Sequence, residues 1–597
     1  MKLHLRFTLF LMVACHLNAW AVQPWNDASY FSLNKLSAHP TIIDNVHHEW
    51  HQTLQDEWRY NYKTTPDQQP KGFPSPNTSS WEVVTIPHLS AHRQGSAYYA
   101  TQWELPNQWR GMRIMIKCGG GSSAMQMYIN GNYVGYSEDS FAPAEWDISR
   151  YLHTGTNHIM IRLIGESDGS LLEPADLPIG LLRPVEIFAV PSLYIANYHV
   201  LSTIDNNTKP MLDITVDLSA EVRGGNSICV TLIDTTQHPY KTLATATKKL
   251  EHKDWFVVFS PQDIQLPEET QLWSPDHPYC YQLQISASNT SDSNCHTVTM
   301  PIAFKRITIQ DDRILLNNKP FQIRAVSWRE PYQGLTPDSL RHLLTNIKNT
   351  RLNTIILQAP ASDDFYTLCS QMGILVVDQP AIMPRADIAD SIGNHPDWQE
   401  SYLYRAINLY QRHRHIPCVA AWIMNPALTQ SSNGKRAARL FTNRAPYQPT
   451  INPFYITTST NQKQLQSELL QFSYNPLDYQ LTLYDEYKRR HPVMAIYNPM
   501  EMSLNSLMDC CDTLRTHMTL PGAYFGTWQK IGSQVRTTLT THLDPTTKPI
   551  PKVSPQLADN KTNYKKNTTS HKKAKKRNTK KQPVKYKNLW QRILAWI

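Results

Sequence analysis

Two kinds of periodicity divide the chain. From about Trp25 to Pro191, short runs alternate apolar and polar residues and are broken by Gly, Pro, Asn and Asp. In the clearest of them, Met125-Gln126-Met127-Tyr128-Ile129 leads into Asn130-Gly131, and an Asn-Gly between two strand-like runs predicts a hairpin. A β-sandwich is expected over residues 22–192. Alternation continues to about Pro301, in Met211-Leu212-Asp213-Ile214-Thr215-Val216-Asp217-Leu218 and Tyr281-Gln282-Leu283-Gln284-Ile285, and predicts an immunoglobulin-like sandwich over 193–302. From Phe304 the texture changes. Apolar strands at 321–326, 354–357, 374–377 and 418–424 alternate with helical stretches at 337–349, 363–372 and 398–413. That alternation predicts a parallel sheet closed as a (β/α)8 barrel over 303–540. The run from Leu428 to Asp478 carries too weak a pattern to place its elements, so the barrel is expected either complete or shortened. The whole is a multidomain β plus α/β chain.

After about Thr541 the pattern gives out. Pro, Thr, Asn and Lys dominate, too little apolar surface remains to fold, and a disordered basic tail is expected over 541–597, ending in the amphipathic run Leu589 to Ile597. This tail changes the meaning of the net charge of +9. Lys561 to Asn588 holds 12 of the 58 Lys and Arg and none of the 49 Asp and Glu, so the remainder is close to neutral, 46 basic against 49 acidic. The folded body is therefore not built to bind a polyanion. Only 18% of residues are charged, beside 16 Trp, 29 Tyr and 41 Pro, a balance that suits a strand-rich exported protein.

The first residues read as an export signal: Lys2 and Arg6, the apolar run Phe7 to Ala14, and the A-x-A site Ala19-Trp20-Ala21. Residues 1–21 would be removed, placing the protein in the periplasm or cell envelope; Cys15, after Met12-Val13-Ala14, leaves lipoprotein processing open as a second route. The nine cysteines contain no C-x-x-C, which argues against a zinc site or a thioredoxin-like motif, and their pairing cannot be read from spacing.

Several ordered motifs make the chain resemble glycoside hydrolase family 2, in its β-galactosidase branch. Ile129-Asn130-Gly131, Val134-Gly135-Tyr136-Ser137, Pro143-Ala144-Glu145-Trp146-Asp147-Ile148 and Ser167-Asp168-Gly169-Ser170 are similar to its jelly-roll sugar-binding domain. Leu272-Trp273-Ser274-Pro275-Asp276-His277-Pro278-Tyr279 resembles the hallmark of its second domain, and Leu316 to Pro320, Tyr366 to Cys369 and Trp528 resemble its TIM barrel. The resemblance implies carbohydrate as partner and a retaining pair of carboxylates about 5 Å apart. Here the chain departs from the pattern. The acid/base position falls on Ala427, or with a one-residue gap on Pro426, and the nucleophile position on Tyr497. Met383 and Arg385 stand where the resemblance places magnesium ligands, so no metal is expected. No cofactor is expected either.

Three readings follow. In the first, the chain is a carbohydrate-binding homologue without hydrolysis, with Asp176, Trp328, Gln358, Asn425 and Trp528 facing the sugar. In the second, it is an active glycosidase whose carboxylates have moved to Asp378 or Glu330, with Glu501 a remoter candidate. In the third, an envelope protein acts through residues 561–597 on an anionic membrane surface; export argues against nucleic acid. For Trp422 a core role is preferred, as it is for Cys369 and Cys418 over disulfide pairing.

Overall fold

The computed structural model describes residues 23–219, 226–236, 238–251, 254–289, 292–310, 313–425, 428, 431–444, 450–455, 468–471, 495–496, 508, 511 and 522–527. The expected leader (1–21), the expected basic tail (541–597), Pro426, Ala427, Tyr497, Glu501 and Trp528 lie outside these residues.

The first domain is built on two antiparallel sheets packed face to face, beside a small three-stranded one of His88–Leu89, Gly180–Leu181 and Gly121–Ser122. The larger has seven strands in the order Ser32–Leu33, Asn132–Ser137, Ala124–Ile129, Thr156–Ile164, Ser96–Glu104, Trp58–Lys63, Glu82–Val84; the smaller has four, Ala144–Asp147, Arg113–Cys118, Val185–Val190, His51–Leu54. Inward side chains such as Trp58, Trp109, Trp146, Ile116 and Ile161 fill the space between them. The Asn-Gly hairpin forms as its sequence dictates. Asn130 and Gly131 both adopt positive φ (50° and 76°), and Ile129 pairs with Asn132 across the turn.

The second domain is a smaller sandwich. Three strands, Ile195–Ile204, Pro210–Leu218 and Phe256–Phe259, face four, Lys241–Lys249, Ser227–Asp234, Tyr281–Asn289 and Asp292–Ile302. Over Leu212 to Leu218 the alternation becomes alternating burial, with Leu212, Ile214, Val216 and Leu218 inside. The first two domains are tied through Asp44, which accepts the Thr297 amide at 2.8 Å, and through His296, whose Nε2 lies 3.0 Å from the Ile42 carbonyl.

The third domain contains eight parallel strands: β1 (Ile323–Trp328), β2 (Thr354–Leu357), β3 (Leu375–Asp378), β4 (Val419–Ile423), β5 (Thr450–Tyr455), β6 (Glu468–Gln471), β7 (Ala495–Ile496) and β8 (Gly522–Thr527). They are ordered β6-β5-β4-β3-β2-β1-β8-β7, and Cα atoms of the end strands β6 and β7 come within 8 Å, so the sheet rolls into a ring. The barrel thus has its full complement of strands. Its helical layer includes α1 (Pro337–Asn349), α2 (Asp363–Met372), α3 (Ala386–Asn394), α4 (Gln399–His413) and α5 (Ser432–Arg444). α1 begins where its signals say: Thr336 caps the Ser339 amide and Pro337 takes the first helical position.

Trp273 of the second domain plugs the N-terminal end of the barrel. It is fully buried against Ile323, Ala325, Leu375 and Ala420, and its Nε1 donates to the Ser370 carbonyl at 3.0 Å. Cys369 and Cys418 are fully buried free thiols in the layer between strands and helices.

Candidate functional site

In a barrel of this kind chemistry sits at the C-terminal strand ends, so the parity of each strand decides which side chains can reach a ligand. Ile356, Val377, Ala421 and Ile423 pack together in the lumen. Val326, Trp328, Ile355, Leu357, Val376, Trp422 and Met424 pack outward against the helices. Continuing each alternation to the strand end places Ser327, Gln358, Gln379 and Asn425 inward.

These four form a neutral polar mouth. Gln379 Nε2 donates to the Gln358 carbonyl at 3.0 Å, and Gln358 Nε2 lies 3.5 Å from Ser327 Oγ. Ser327 and Gln379 are buried, while Gln358 and Asn425 are half-buried. Gln379 was not anticipated from sequence, although its place one residue beyond Asp378 is the signal for it.

Asp378 does not face this mouth. Its parity is that of Val376, and it points into the helical layer, fully buried. Oδ2 accepts the Tyr366 hydroxyl at 3.0 Å and bonds His413 Nδ1 at 2.7 Å, and Oδ1 takes the Gln379 amide at 3.0 Å. Burial, and after it the Asp378 carboxylate, holds the Tyr366 hydroxyl well above its ordinary range, so that hydroxyl remains a donor. The expectation that Asp378 substitutes for a catalytic carboxylate is corrected: its oxygens are spent on joining β3 to α2 and α4.

Glu330 is corrected in the same way. Its two oxygens accept the Ser362 amide and hydroxyl, each at 2.7 Å, which fixes the loop after β1 to the start of α2. Trp328 is 3% exposed and stacks on Phe365 with centroids 4.8 Å apart, so it is core and offers no face to a sugar. Trp422 is also core, stacked on Phe441.

Asp176 stands on the sandwich loop that reaches over the barrel. Oδ1 accepts the Tyr332 hydroxyl at 2.6 Å, and Oδ2 accepts Arg329 Nη2 at 3.0 Å. Burial works to raise its carboxyl, but these two donors outweigh it and hold the group below the ordinary carboxylate range. Arg329 and Tyr332, neither singled out from sequence, therefore bind this loop to the one after β1. Arg405 of α4 fixes the base of the same loop. Fully buried, it bonds Glu173 Oε1 at 3.2 Å and the carbonyls of Ala381, Gly169 and Glu138.

The residues at the metal positions do not fit magnesium. Met383 packs among Phe141, Leu177, Ala359 and Ala381, and Arg385 pairs with Asp387. A thioether in an apolar cluster and a guanidinium supply no hard oxygen ligand. Among the described residues no group of three or more His, Cys, Asp or Glu is arranged to hold a metal ion.

Three family profiles match in series: the glycosyl hydrolases family 2 sugar binding domain over residues 53–191, glycosyl hydrolases family 2 over 193–305, and the family 2 TIM barrel domain over 307–475. The chain is similar to the β-galactosidase of Priestia megaterium, 23% identical over 491 residues that cover 70% of this chain and 46% of the relative. It is similar to that of Enterobacter cloacae at 24% over 484 residues, covering 72% and 46%. It spans about half the length of these curated relatives. Among solved structures, a Bacteroides uniformis β-glucuronidase superposes with a TM-score of 0.66 at 16% identity, covering 80% of this chain and 64% of that one. The β-D-glucuronidase of Dictyoglomus thermophilum superposes with a TM-score of 0.62 at 17% identity, covering 82% and 91%. Three matches in the order of the three folded domains leave one assignment: the chain belongs to glycosyl hydrolases family 2.

Proposed function

We propose that the chain is an exported carbohydrate-binding member of the family that does not perform the hydrolysis its relatives are named for. The observation that carries this reading is the chemistry of the barrel mouth. At the ends of β1 to β4 the lumen presents one hydroxyl and three carboxamides, while Asp378 and Glu330 are turned away and fully engaged. Retaining hydrolysis needs one carboxyl group to protonate the leaving oxygen and a second to attack the anomeric carbon. Carboxamides and hydroxyls do neither at a useful rate, yet they donate to and accept from sugar hydroxyls in the way a binding site requires. The positions that resemblance assigns to the acid and the nucleophile, Ala427 and Tyr497, carry no carboxylate. The relatives' names direct the choice of sugar toward β-galactosides and β-glucuronides.

The test is purified mature protein incubated with aryl β-D-galactosides and aryl β-D-glucuronides, with calorimetric titration of galactose and glucuronate in parallel. The expected result is no turnover above the buffer blank and saturable binding of a sugar that weakens in Gln358→Ala. Turnover that follows the protein through purification would overturn the reading.

A further inference from the structure

Asp378 orients a histidine that opens on a different space. A cavity of about 700 Å³ lies where the three domains meet, and its lining includes none of Ser327, Gln358, Gln379 or Asn425. One wall comes from the first sandwich (Thr53, Lys117, Glu145, Glu186), one from the helical layer of the barrel (Thr367 on α2, Arg412 and His413 on α4), and the remainder includes Thr299 to Pro301 of the second sandwich. The volume is within the range of about 300 to 1,000 Å³ usual for small-molecule sites.

The chemistry of the walls narrows the occupant. Most charges are paired in place: Lys117 with Glu186 at 2.8 Å, Arg412 with Glu145 at 3.0 Å, and Arg183 3.7 Å from Glu330, while Asp363 and Asp364 add carboxylates at the start of α2. A strongly charged ligand would have to break these pairs, whereas a neutral one can use the lone pairs and N–H groups they leave over in charge-assisted hydrogen bonds. Between the ion pairs the lining is apolar, with Phe141, Leu182, Pro184 and Ile416. His413 contributes a directed group. Its Nδ1 is held by Asp378 at 2.7 Å, which leaves Nε2 as the ring nitrogen to offer a ligand in the cavity that His413 lines. A pyranose has the matching form, a rim of hydroxyls around weakly polar faces.

We propose that this junction cavity is a second carbohydrate site, independent of the barrel mouth, that takes a neutral mono- or disaccharide with its hydroxyls on His413 Nε2 and on the Lys117–Glu186 and Arg412–Glu145 pairs. It does not depend on whether the mouth binds sugar or whether the chain hydrolyses anything.

The full chain is titrated calorimetrically with galactose, lactose and cellobiose, with glucuronate as the charged control. Two blocking substitutions enter from opposite walls at exposed positions, Thr53→Trp and Thr367→Trp; melting temperatures verify that each variant folds, and a variant that fails this leaves the other to decide. The expected result is a neutral-sugar binding event that each block weakens about tenfold or more and that persists in Gln358→Ala, separate from any mouth binding that this variant removes. Binding that ignores both blocks, or that disappears in Gln358→Ala, places the sugar at the mouth and overturns the second site while leaving the proposed function standing. Glucuronate binding that exceeds that of the neutral sugars and that both blocks weaken overturns the neutral class. No binding of any probe overturns both.

Discussion

At the scale of single residues, one buried acid makes stability depend on pH. Glu138 sits under the sandwich loop with Oε1 2.5 Å from the Tyr136 hydroxyl, and burial pushes its carboxyl from the ordinary 4.5 up to about 8. The folded state therefore holds this proton across a range where the unfolded chain has released it. Stability from this group is complete below pH 4.5, declines as pH rises toward 8, and is lost above it. Glu138→Gln keeps an oxygen to accept from Tyr136 and removes the ionisation. Buried histidines such as His199 and His296, which burial holds down to about 4, act in both proteins, so the expected outcome is a difference. From pH 5 to 8 the parent loses stability relative to the variant, and identical pH profiles would assign the dependence elsewhere. Residues also mark how far sequence reasoning reaches. Val376-Val377-Asp378 contains no alternation, because a parallel strand buried on both faces is apolar throughout. Nothing in it says that Asp378 shares the outward parity of Val376 and not the inward one of Val377.

At the scale of elements, what was legible followed from local signals. α1 was read to the residue over 337–349, and the structure supplies the reason in the Thr336 cap and Pro337 at the first helical position; the Asn130-Gly131 turn was read from two residues that tolerate positive φ. α5 was not legible, since Ser432-Asn433-Gly434 opens it with weak helix formers and no apolar stripe appears until Ala437 to Phe441. The end of α2 shows a local rule serving a distant contact. Gly373 closes the helix at φ 72°, and a Cβ there would stand 2.3 Å from the carbonyl oxygen of Pro275 in the Trp273 segment. Gly373→Ala meets both the left-handed penalty and a backbone that cannot move aside, so a loss of about 2 kcal/mol or more is expected in urea denaturation. A loss under about 1 kcal/mol would mean that the Trp273 segment shifts freely, and that it does not brace the barrel floor.

For the whole molecule, domain order could be read from changes of period, but the joints between domains could not. Arg405 lies in Tyr404-Arg405-Ala406-Ile407-Asn408, where a lone arginine on an amphipathic helix reads as a solvated residue. It is instead the deepest tie between barrel and first sandwich, with Glu173 and Asp139 on one side and three carbonyls on the others. Removing one partner of such a buried network leaves the rest uncompensated, at a cost of about 3 to 5 kcal/mol. That cost falls on the joint and not on either core, because the sandwich keeps its own cluster around Trp58 and Trp146 and the barrel its cluster around Tyr366 and Trp422. In the parent, the Arg405 tie, the Asp44 tie to Thr297 and the Trp273 plug make each domain's unfolding expose surface on its neighbours. A single calorimetric transition is expected for the folded body. In Arg405→Ala the first sandwich should separate as an earlier transition, and tryptophan near-ultraviolet dichroism should follow that step because Trp58, Trp109 and Trp146 are all in its core. If Arg405→Ala merely lowers one undivided transition, Arg405 adds stability without coupling the domains, and the joint must be held by its other ties, among them Arg329 and Tyr332 on Asp176, the Met383 amide on the Leu172 carbonyl and Arg412 on Glu145.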